Sequence, residues 1–295
     1  RGGQSTGGPA ELDPFFGLPS AQDTVQETAD ETILDTTWQG DTLFCRISPL
    51  KQVKVTVGSK TGYYLASNVQ TFESSVAGER TINFNYETCV VKFQPTSNQG
   101  AGDTTIEGAT GTINGVAVSY GDTLKVAMGQ QITVHCNAIE NYVTPADYTG
   151  TASTAQLTPA LVYQTTLVTI SWESNLGADP AIDAVQATVA GRTVSSGQTI
   201  KVATGSEVAV VFPNVEGYRT PSIATFVAEG TTVVKPTVQY STDIYTVGVD
   251  SNQTDKTDID NVAVVVSYVY AGQSVSRELA DGDTIKVPTG TTPTA

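Results

Sequence analysis

Hydrophobic and polar residues alternate with a period of two along most of this chain. Ile132, Val134 and Cys136 alternate with polar neighbours, and Val208, Val210 and Phe212 repeat the pattern. Successive side chains of a strand point to opposite faces, so this alternation predicts strands with one buried face. No comparable helical periodicity occurs beyond residue 27. The pattern therefore predicts an all-β protein.

The strand pattern itself recurs along the chain. A Tyr-x-Thr motif begins at Tyr86, Tyr163 and Tyr240, and a step of about 77 residues indicates an array of equivalent folded units. Two further series keep nearly the same step. They are Gly40-Asp41-Thr42-Leu43, Gly121-Asp122-Thr123-Leu124, Gly197-Gln198-Thr199-Ile200 and Gly282-Asp283-Thr284-Ile285, and then Gly62-Tyr63, Asn141-Tyr142 and Gly217-Tyr218.

Each complete repeat holds roughly six or seven short strands between turn signals, as immunoglobulin-like and fibronectin-type sandwiches do. We predict tandem immunoglobulin/fibronectin-III-like β-sandwich repeats in an elongated array. The repeats are placed at 28–88 (divergent), 89–165, 166–242 and 243–295 (incomplete). The fourth lacks a second half, so we expect that the polypeptide continues beyond residue 295 or that another chain completes the fold.

Residues 1–27 are predicted to form a flexible N-terminal arm. Glycines open it, and prolines interrupt the apolar cluster that follows, which excludes a long helix or a central strand. The apolar residues are Leu12, Phe15, Phe16 and Leu18. The arm is either a disordered leader or a segment that docks on the first domain, on another copy of the chain or on another virion or surface subunit.

Several residues predict local structure within the repeats. Gly62, Asn141 and Gly217 share one register position, and glycine and asparagine are the residues that most readily adopt a positive φ. Asn114-Gly115 predicts a tight hairpin. The recurring tyrosines are expected to bury their rings while each hydroxyl bonds a backbone partner. They are Tyr86, Tyr163 and Tyr240.

Charge narrows the classes of partner. The chain has 15 basic and 30 acidic residues and a formal net charge of −15. Binding to nucleic acid or to an anionic membrane needs a basic surface, so we expect neither. No apolar stretch is long enough to span a membrane. Cys45, Cys89 and Cys136 fall at non-equivalent repeat positions, which favours buried thiols over a Cys45–Cys89 bridge.

Part of the sequence resembles a known class of repeat. The resemblance rests on Gly217-Tyr218-Arg219-Thr220-Pro221, a turn at Ala228-Glu229-Gly230, Val238-Gln239-Tyr240-Ser241-Thr242 and Lys286-Val287-Pro288-Thr289-Gly290. These segments resemble tandem immunoglobulin-like repeats of Bacteroides-type surface proteins and of virion and fibre proteins of their phages. The resemblance covers residues 28–295 and implies a non-enzymatic extracellular or virion-borne module.

The residues offer little for catalysis. His135 is the only histidine, and the alternation places it on the outward face of a strand. No nucleophile motif, zinc motif or phosphate loop is present. We therefore predict that the chain is not an enzyme and carries no cofactor beyond a calcium candidate.

That candidate is an acidic loop whose clustered oxygens suit a hard cation. Its carboxylates are Asp250, Asp255, Asp258 and Asp260. Because the spacing matches no calcium motif and no other repeat has such a loop, a solvated polar loop is the alternative.

Two sets of residues bear on partners. Lys125, Lys201 and Lys286 share a register position that suits either Lys–Asn or Lys–Asp isopeptide crosslinks or surface lysines that protect an edge strand, and the second is favoured. Tyr148, Tyr268 and Tyr270 are candidates for stacking on host glycans.

Together these features predict an extracellular structural protein, namely a fibre, stalk or decoration component of a phage virion or bacterial surface. The alternatives are an adhesin or pilus-type subunit that binds host glycan or protein, and a spacer attached to an enzyme.

Overall fold

The structure is a computed structural model, and it describes residues 24–26, 33–39, 42–47, 52–73, 83–252, 259 and 262–295. The described part is all-β. Its helices are one α-helix, α1 at Pro180–Asp183, and one 3-10 helix at Thr104–Gly108. The all-β prediction is confirmed.

The first repeat contributes two small antiparallel sheets. Its strands are β1 (Thr24–Gln26), β2 (Ile33–Gln39), β3 (Thr42–Ile47), β4 (Gln52–Thr56), β5 (Tyr64–Leu65) and β6 (Val69–Glu73). One sheet has the order β1-β4-β6, and β2 pairs with β3. The predicted arm at 1–27 lies outside the described residues except for Thr24–Gln26, which pair with β4.

The second repeat has a sheet of order β10-β9-β12-β13, a sheet of order β11-β7-β14, and the pair β15-β8. Its strands are β7 (Tyr86–Lys92), β8 (Thr96–Ser97), β9 (Thr110–Ile113), β10 (Val116–Ser119), β11 (Thr123–Ala127), β12 (Gln131–Cys136), β13 (Tyr148–Thr151), β14 (Gln156–Leu157) and β15 (Val162–Tyr163). Asn114 and Gly115, with φ of 49° and 80°, join β9 to β10 as the predicted hairpin.

The third repeat follows the same plan with α1 inserted before β18. Its strands are β16 (Thr165–Thr169), β17 (Trp172–Ser174), β18 (Gln186–Val189), β19 (Arg192–Ser195), β20 (Thr199–Ala203), β21 (Glu207–Val208), β22 (Val210–Val211), β23 (Phe226–Val227), β24 (Thr232–Val234) and β25 (Val238–Tyr240). One layer contains β20-β16-β24 and β17-β25, and the other contains β19-β18-β22 and β21-β23.

These layers form a sandwich because their buried residues share one core. Val168 of β16 and Val202 of β20 belong to the same buried cluster as Ala187 and Val189 of β18. Alternate residues of each strand face that cluster; in β20, for example, Ile200 and Val202 are buried between more exposed neighbours. The predicted sandwich is therefore present in this repeat.

The described part of the fourth repeat contains two antiparallel pairs. Its strands are β26 (Thr242–Thr246), β27 (Val264–Tyr270), β28 (Gln273–Leu279) and β29 (Thr284–Pro288). β26 pairs with β29, and β27 pairs with β28. Val266, Tyr268, Ile285 and Val287 form a core cluster distinct from that of the third repeat. The third and fourth repeats therefore have separate core clusters.

The chain separates into two compact units. Unit 1 comprises residues 1–95, 105–137 and 146–161, and unit 2 comprises 96–104, 138–145 and 162–295. Unit 2 thus contains the third and fourth repeats and residues 96–104, 138–145 and 162–165 of the second. The repeat boundaries drawn from the sequence remain predictions.

Candidate functional site at the repeat junctions

Three polar side chains meet where the third repeat joins the fourth, within unit 2. Lys286 Nζ, on β29, lies 2.5 Å from Asp179 Oδ2 and 2.6 Å from the hydroxyl oxygen of Tyr218. The Tyr218 hydroxyl in turn donates a hydrogen bond to Asp179 Oδ2. Each member therefore contacts the other two, and we call this arrangement the junction triad.

The same triad occurs one repeat earlier, and its members again all belong to unit 2. Lys201 Nζ, on β20, lies 2.5 Å from Asp103 Oδ1 and 2.6 Å from the Tyr142 hydroxyl oxygen. That hydroxyl donates to Asp103 at 2.9 and 2.7 Å. In both cases the aspartate and tyrosine come from one repeat and the lysine from the next. The triad therefore links consecutive repeats.

Local structure places each aspartate. Asp179 is the N-cap of α1, where its carboxylate accepts from the Ala181 N–H at 3.1 Å. Asp103 immediately precedes the 3-10 helix at Thr104–Gly108. A short helix after a carboxylate leaves unpaired N–H groups that favour negative charge at that point. The position of each aspartate is therefore set by local structure within its own repeat, independently of the lysine that binds it.

The backbone before each tyrosine adopts the predicted left-handed conformation. The φ angles of Gly62, Asn141 and Gly217 are 80°, 70° and 80°. Close approach adds a second requirement for glycine, because a Cβ on Gly217 would lie 2.9 Å from the Lys286 Cβ. In unit 1, a Cβ on Gly62 would lie 2.7 Å from the Lys125 carbonyl oxygen. The strand that carries the lysine thus packs directly on this turn.

Part of the arrangement also occurs in unit 1. Lys125 Nζ donates to the Tyr63 hydroxyl at 2.6 Å. Tyr63 and Lys125 hold the register positions of the tyrosine and lysine in the two triads. The lysine–tyrosine contact is therefore common to three places in the repeat pattern.

Electrostatics favour the ionised forms in both triads. Burial raises the pKa of Asp103, but hydrogen bonds from Lys201, Tyr142 and Ser97, together with the Lys201 charge, outweigh it and lower the pKa to about 2. The hydrogen bond from Lys286, and then that from Tyr218, lowers the pKa of Asp179. Burial lowers the pKa of Lys201, but its bonds to Asp103 and Tyr142 reverse this and raise it. Each triad is therefore a charged ion pair at neutral pH.

Burial makes the ion pairs stronger than ordinary surface pairs. The Asp103 side chain is 2% exposed and that of Asp179 is 11% exposed, while Lys201 and Lys286 are 32% and 41% exposed. A carboxylate shielded from water is costly unless it is paired and hydrogen-bonded. The lysine of the following repeat supplies that pairing, so breaking the junction leaves a buried charge without its counterion.

A second contact lies beside each triad. The Asn175 carboxamide donates to the Thr242 carbonyl at 2.9 Å and accepts from the Thr242 N–H at 3.0 Å. Asn98 bonds Thr165 in the same two ways, at 2.9 and 3.0 Å. We call this two-bond contact the Asn–Thr lock. Thr165 and Thr242 are each the first residue of the next repeat's opening strand, so the lock also lies at the junction.

The triad and the lock both join one repeat to the next. The carboxylates, hydroxyls and amines satisfy one another. In the part of the chain that the structure describes, no three His, Cys, Asp or Glu side chains converge as metal ligands would. The chemistry available at this site is ion pairing and hydrogen bonding between repeats.

The predicted calcium candidate is largely outside the described residues. Asp250 is described and exposed, whereas Asp255, Asp258 and Asp260 lie in the undescribed stretch that follows. The calcium hypothesis therefore remains a prediction.

The favoured interpretation of the lysines was incomplete. Lys201 and Lys286 do lie on strands at the edge of their sheets, β20 and β29, but each side chain is half-buried and bound to an aspartate of the preceding repeat. The recurrence of the lysines was visible in the sequence, but their aspartate partners were not predicted. The signal that could have found them is the Ser-Asn pair at Ser97, Ser174 and Ser251, since Asp103 and Asp179 follow the first two of these pairs closely.

The tyrosines proposed for stacking on glycans do not form an exposed set. Tyr268 is buried in the core of the fourth repeat, because its ring packs on the inward face of β27. The Tyr270 hydroxyl accepts from the Thr220 N–H at 3.0 Å. Tyr148 is half-buried on β13. Burial removes the ring face that a sugar would need.

The other singled-out residues lie in ordinary environments. His135 is half-exposed on β12, and its Nδ1 lies 2.7 Å from Asp147 Oδ1. Cys89 and Cys136 are buried thiols, and burial raises the pKa of Cys89. Tyr163 and Tyr240 are fully buried, and the Tyr240 hydroxyl donates to the Pro213 carbonyl at 2.8 Å. The Tyr86 hydroxyl donates to the Gly58 carbonyl.

Comparison with known proteins gives likeness in solved structures alone. No family model matches the chain, and no curated protein matches it. The Bacillus anthracis TIE protein is 14% identical over 70% of this chain, with a TM-score of 0.27, and the chain spans 45% of that protein's length. A streptococcal ancillary pilin is 11% identical over 70% of this chain and 79% of its own, with a TM-score of 0.24.

Two B repeat units of the collagen binding protein of Staphylococcus aureus are also similar. They are 14% identical over 70% of this chain and 67% of their own, with a TM-score of 0.19. All three TM-scores are low. No helix in the described residues has both the length and the apolar character to cross a membrane.

Proposed function

We propose that this chain is a non-enzymatic structural component of an extracellular surface, namely a fibre, stalk or decoration protein of a phage virion or a bacterial cell. The observation that carries the proposal is the recurrence of one junction. The same three types of side chain join successive repeats at Asp103 and again at Asp179, and each lysine Nζ lies 2.5 Å from its aspartate.

A recurring joint suits a protein whose task is to hold a fixed step between modules. Repeat proteins gain stability from contacts between neighbours, and a buried ion pair restricts the geometries in which two neighbours can meet. Asp103 and Asp179 need the lysine of the following repeat to be neutralised.

The sequence resemblance supports a phage virion or a bacterial cell surface as the place where the chain acts. The segments around Gly217-Tyr218 and Val238–Thr242 resemble repeats of Bacteroides-type surface proteins and of virion proteins of their phages. The net charge of −15 is in keeping with an exposed, soluble array. We infer that other copies of the chain, or other surface subunits, are its partners.

Two measurements test the proposal. Immunogold labelling with an antibody to the chain, applied to purified phage and to intact cells of the source organism, should decorate one of the two surfaces. Small-angle scattering of the purified chain should give an elongated particle, as the array predicts. Labelling confined to the cell interior would contradict the proposal.

The adhesin alternative has its own test. A glycan array probed with the full chain should show no saturable binding if the protein is structural. Saturable binding that is lost in the Tyr148→Ala variant would favour the adhesin instead, because Tyr148 keeps part of its ring accessible.

A further inference from the structure

The first and last strands of the third repeat run side by side in the same direction. β16 pairs in parallel with β24, with Val168 opposite Val233, and β17 continues the pairing with β25, with Glu173 opposite Gln239. In the second repeat β7 pairs in parallel with β14, and β8 with β15. Each complete repeat therefore joins its first strand directly to its last.

Parallel pairing decides how this contact responds to a pull on the chain. Tension draws β16 and β17 towards the N-terminus and draws β24 and β25 towards the C-terminus. Because the strands are parallel, these two forces act in opposite directions along one axis, and the ladder is sheared. The bonds that link the strands share that load, whereas in an antiparallel hairpin pulled from its open end they would break one after another.

The backbone bonds that carry this shear are spread along the whole pairing. Leu167 N–H donates to the Thr231 carbonyl at 2.9 Å, Val238 N–H to Ser171 at 3.1 Å, and Asn175 N–H to Tyr240 at 3.0 Å. They begin near the start of β16 and end just beyond β17, at the last residue of β25. A slip of one strand past the other would break all of them together.

The Asn–Thr lock lies at the C-terminal end of this ladder, where tension pulls on the last strand. Asn175 follows the last residue of β17, and Thr242 is the first residue of β26, so the lock lies where the chain leaves the third repeat. The carboxamide adds one donated and one accepted bond just beyond the ends of β17 and β25. In the second repeat Asn98 and Thr165 occupy the corresponding places. The device is thus repeated along with the fold.

We propose that the chain bears tension along its length, and that in each complete repeat the parallel first and last strands, closed by the Asn–Thr lock, form a latch that resists shear. This inference deepens the proposed structural role and depends on it only in taking the chain to be held at both ends. The latch is a property of the repeat itself, whichever surface carries it.

The test is a single-molecule force-clamp measurement on the full chain, held by handles at its two termini. Unfolding one repeat of about 77 residues should release on the order of 250 Å of chain, which identifies the long events. In the Asn175→Ala variant, the unfolding rate of one long event at fixed force should rise on the order of tenfold, because two bonds of the latch are lost. The event from the second repeat should keep its original rate.

Val194→Ala is the matched control, since Val194 is a core residue of β19, away from the latch. It should lower the urea midpoint and change the unfolding rate under tension less than Asn175→Ala does. An unchanged rate in Asn175→Ala, or an equal rise in Val194→Ala, would overturn the latch. If Asn175→Ala does not fold, Asn98→Ala applies the same measurement to the second repeat. Immunogold labelling is unaffected by these outcomes, so failure of the latch and failure of the structural role are separable.

Discussion

Gly217 and Lys286 approach so closely that a Cβ on Gly217 would lie 2.9 Å from the Lys286 Cβ. Gly217 belongs to the third repeat and Lys286 to the fourth, and the φ of Gly217 is 80°. The glycine therefore serves two purposes, since it allows the turn before Tyr218 and admits the strand that delivers the lysine. At this junction the missing side chain makes room for β29, whereas Asn141 holds the same register position at the preceding junction.

Replacing that glycine should weaken the junction more than the turn alone explains. Gly217→Ala should lower the free energy of unfolding by about 2 to 4 kcal/mol, from the left-handed backbone and the steric overlap together. Gly205→Ala is the control, because Gly205 has a φ of 83° and open space around its Cβ position. It should cost about 1 to 2 kcal/mol. Urea denaturation measures both, and equal losses would show that the close approach is unimportant.

The carboxylate of Asp103 should contribute stability that depends on pH. Its folded pKa is about 2, whereas an unfolded aspartate titrates near 3.9. A lowered folded pKa gives stability that is present above about pH 4 and is lost as the pH falls towards 2, by about 2 kcal/mol in total. Thermal denaturation of wild type and Asp103→Asn over this range should show a slope in wild type that the variant lacks.

At pH 7 the same variant should be less stable than wild type by about 2 kcal/mol, because Lys201 loses its counterion. Asp147→Asn removes an exposed aspartate that pairs with His135 and should cost less than about 1 kcal/mol. If the two variants lose equal free energy of unfolding, the buried ion pair contributes no more to stability than the exposed one.

The energies of Lys201 and Asp103 should be coupled. Lys201→Met alone leaves a buried carboxylate without its cation, whereas the double variant with Asp103→Asn removes both charges. A double-mutant cycle in urea should therefore give a coupling free energy of about 1 to 3 kcal/mol. Additive losses would mean that the pair seen at 2.5 Å contributes nothing beyond its separate members.

The hydroxyl of Tyr240 should control stability at high pH. Burial raises its pKa to about 12, while an unfolded tyrosine ionises near 10. A raised folded pKa gives stability that is present below about pH 10 and is lost as the pH rises towards 12. Tyr240→Phe should reduce that loss, and at pH 7 it should cost about 1 kcal/mol because the Pro213 carbonyl loses its donor. Denaturation curves at pH 7 and between pH 10 and 12 check both expectations.

Local features were predictable where one residue type decides the conformation. Gly62, Asn141 and Gly217 could be placed at positive φ because few other residues accept that region, and Asn114-Gly115 could be placed in a hairpin for the same reason. Burial was predicted for the recurring Tyr86, Tyr163 and Tyr240; the last two are fully buried, whereas Tyr86 is only half-buried.

Predictions about exposure failed where the outcome depended on a distant segment. Tyr268 was expected at the surface, but the packing of β27 against residues such as Ile285 buries it. Alternation shows that a strand has two faces, and it does not say which face a neighbouring element will cover.

The sequence by itself determined the all-β class and the repeating unit, because side-chain alternation and recurrence are properties of local order along the chain. Only the tertiary structure decided that Lys201 and Lys286 meet Asp103 and Asp179, and that parallel first and last strands close each complete repeat. The two ion pairs join residues about a hundred positions apart, and no local rule of conformation specifies which distant charges will meet once the strands have packed.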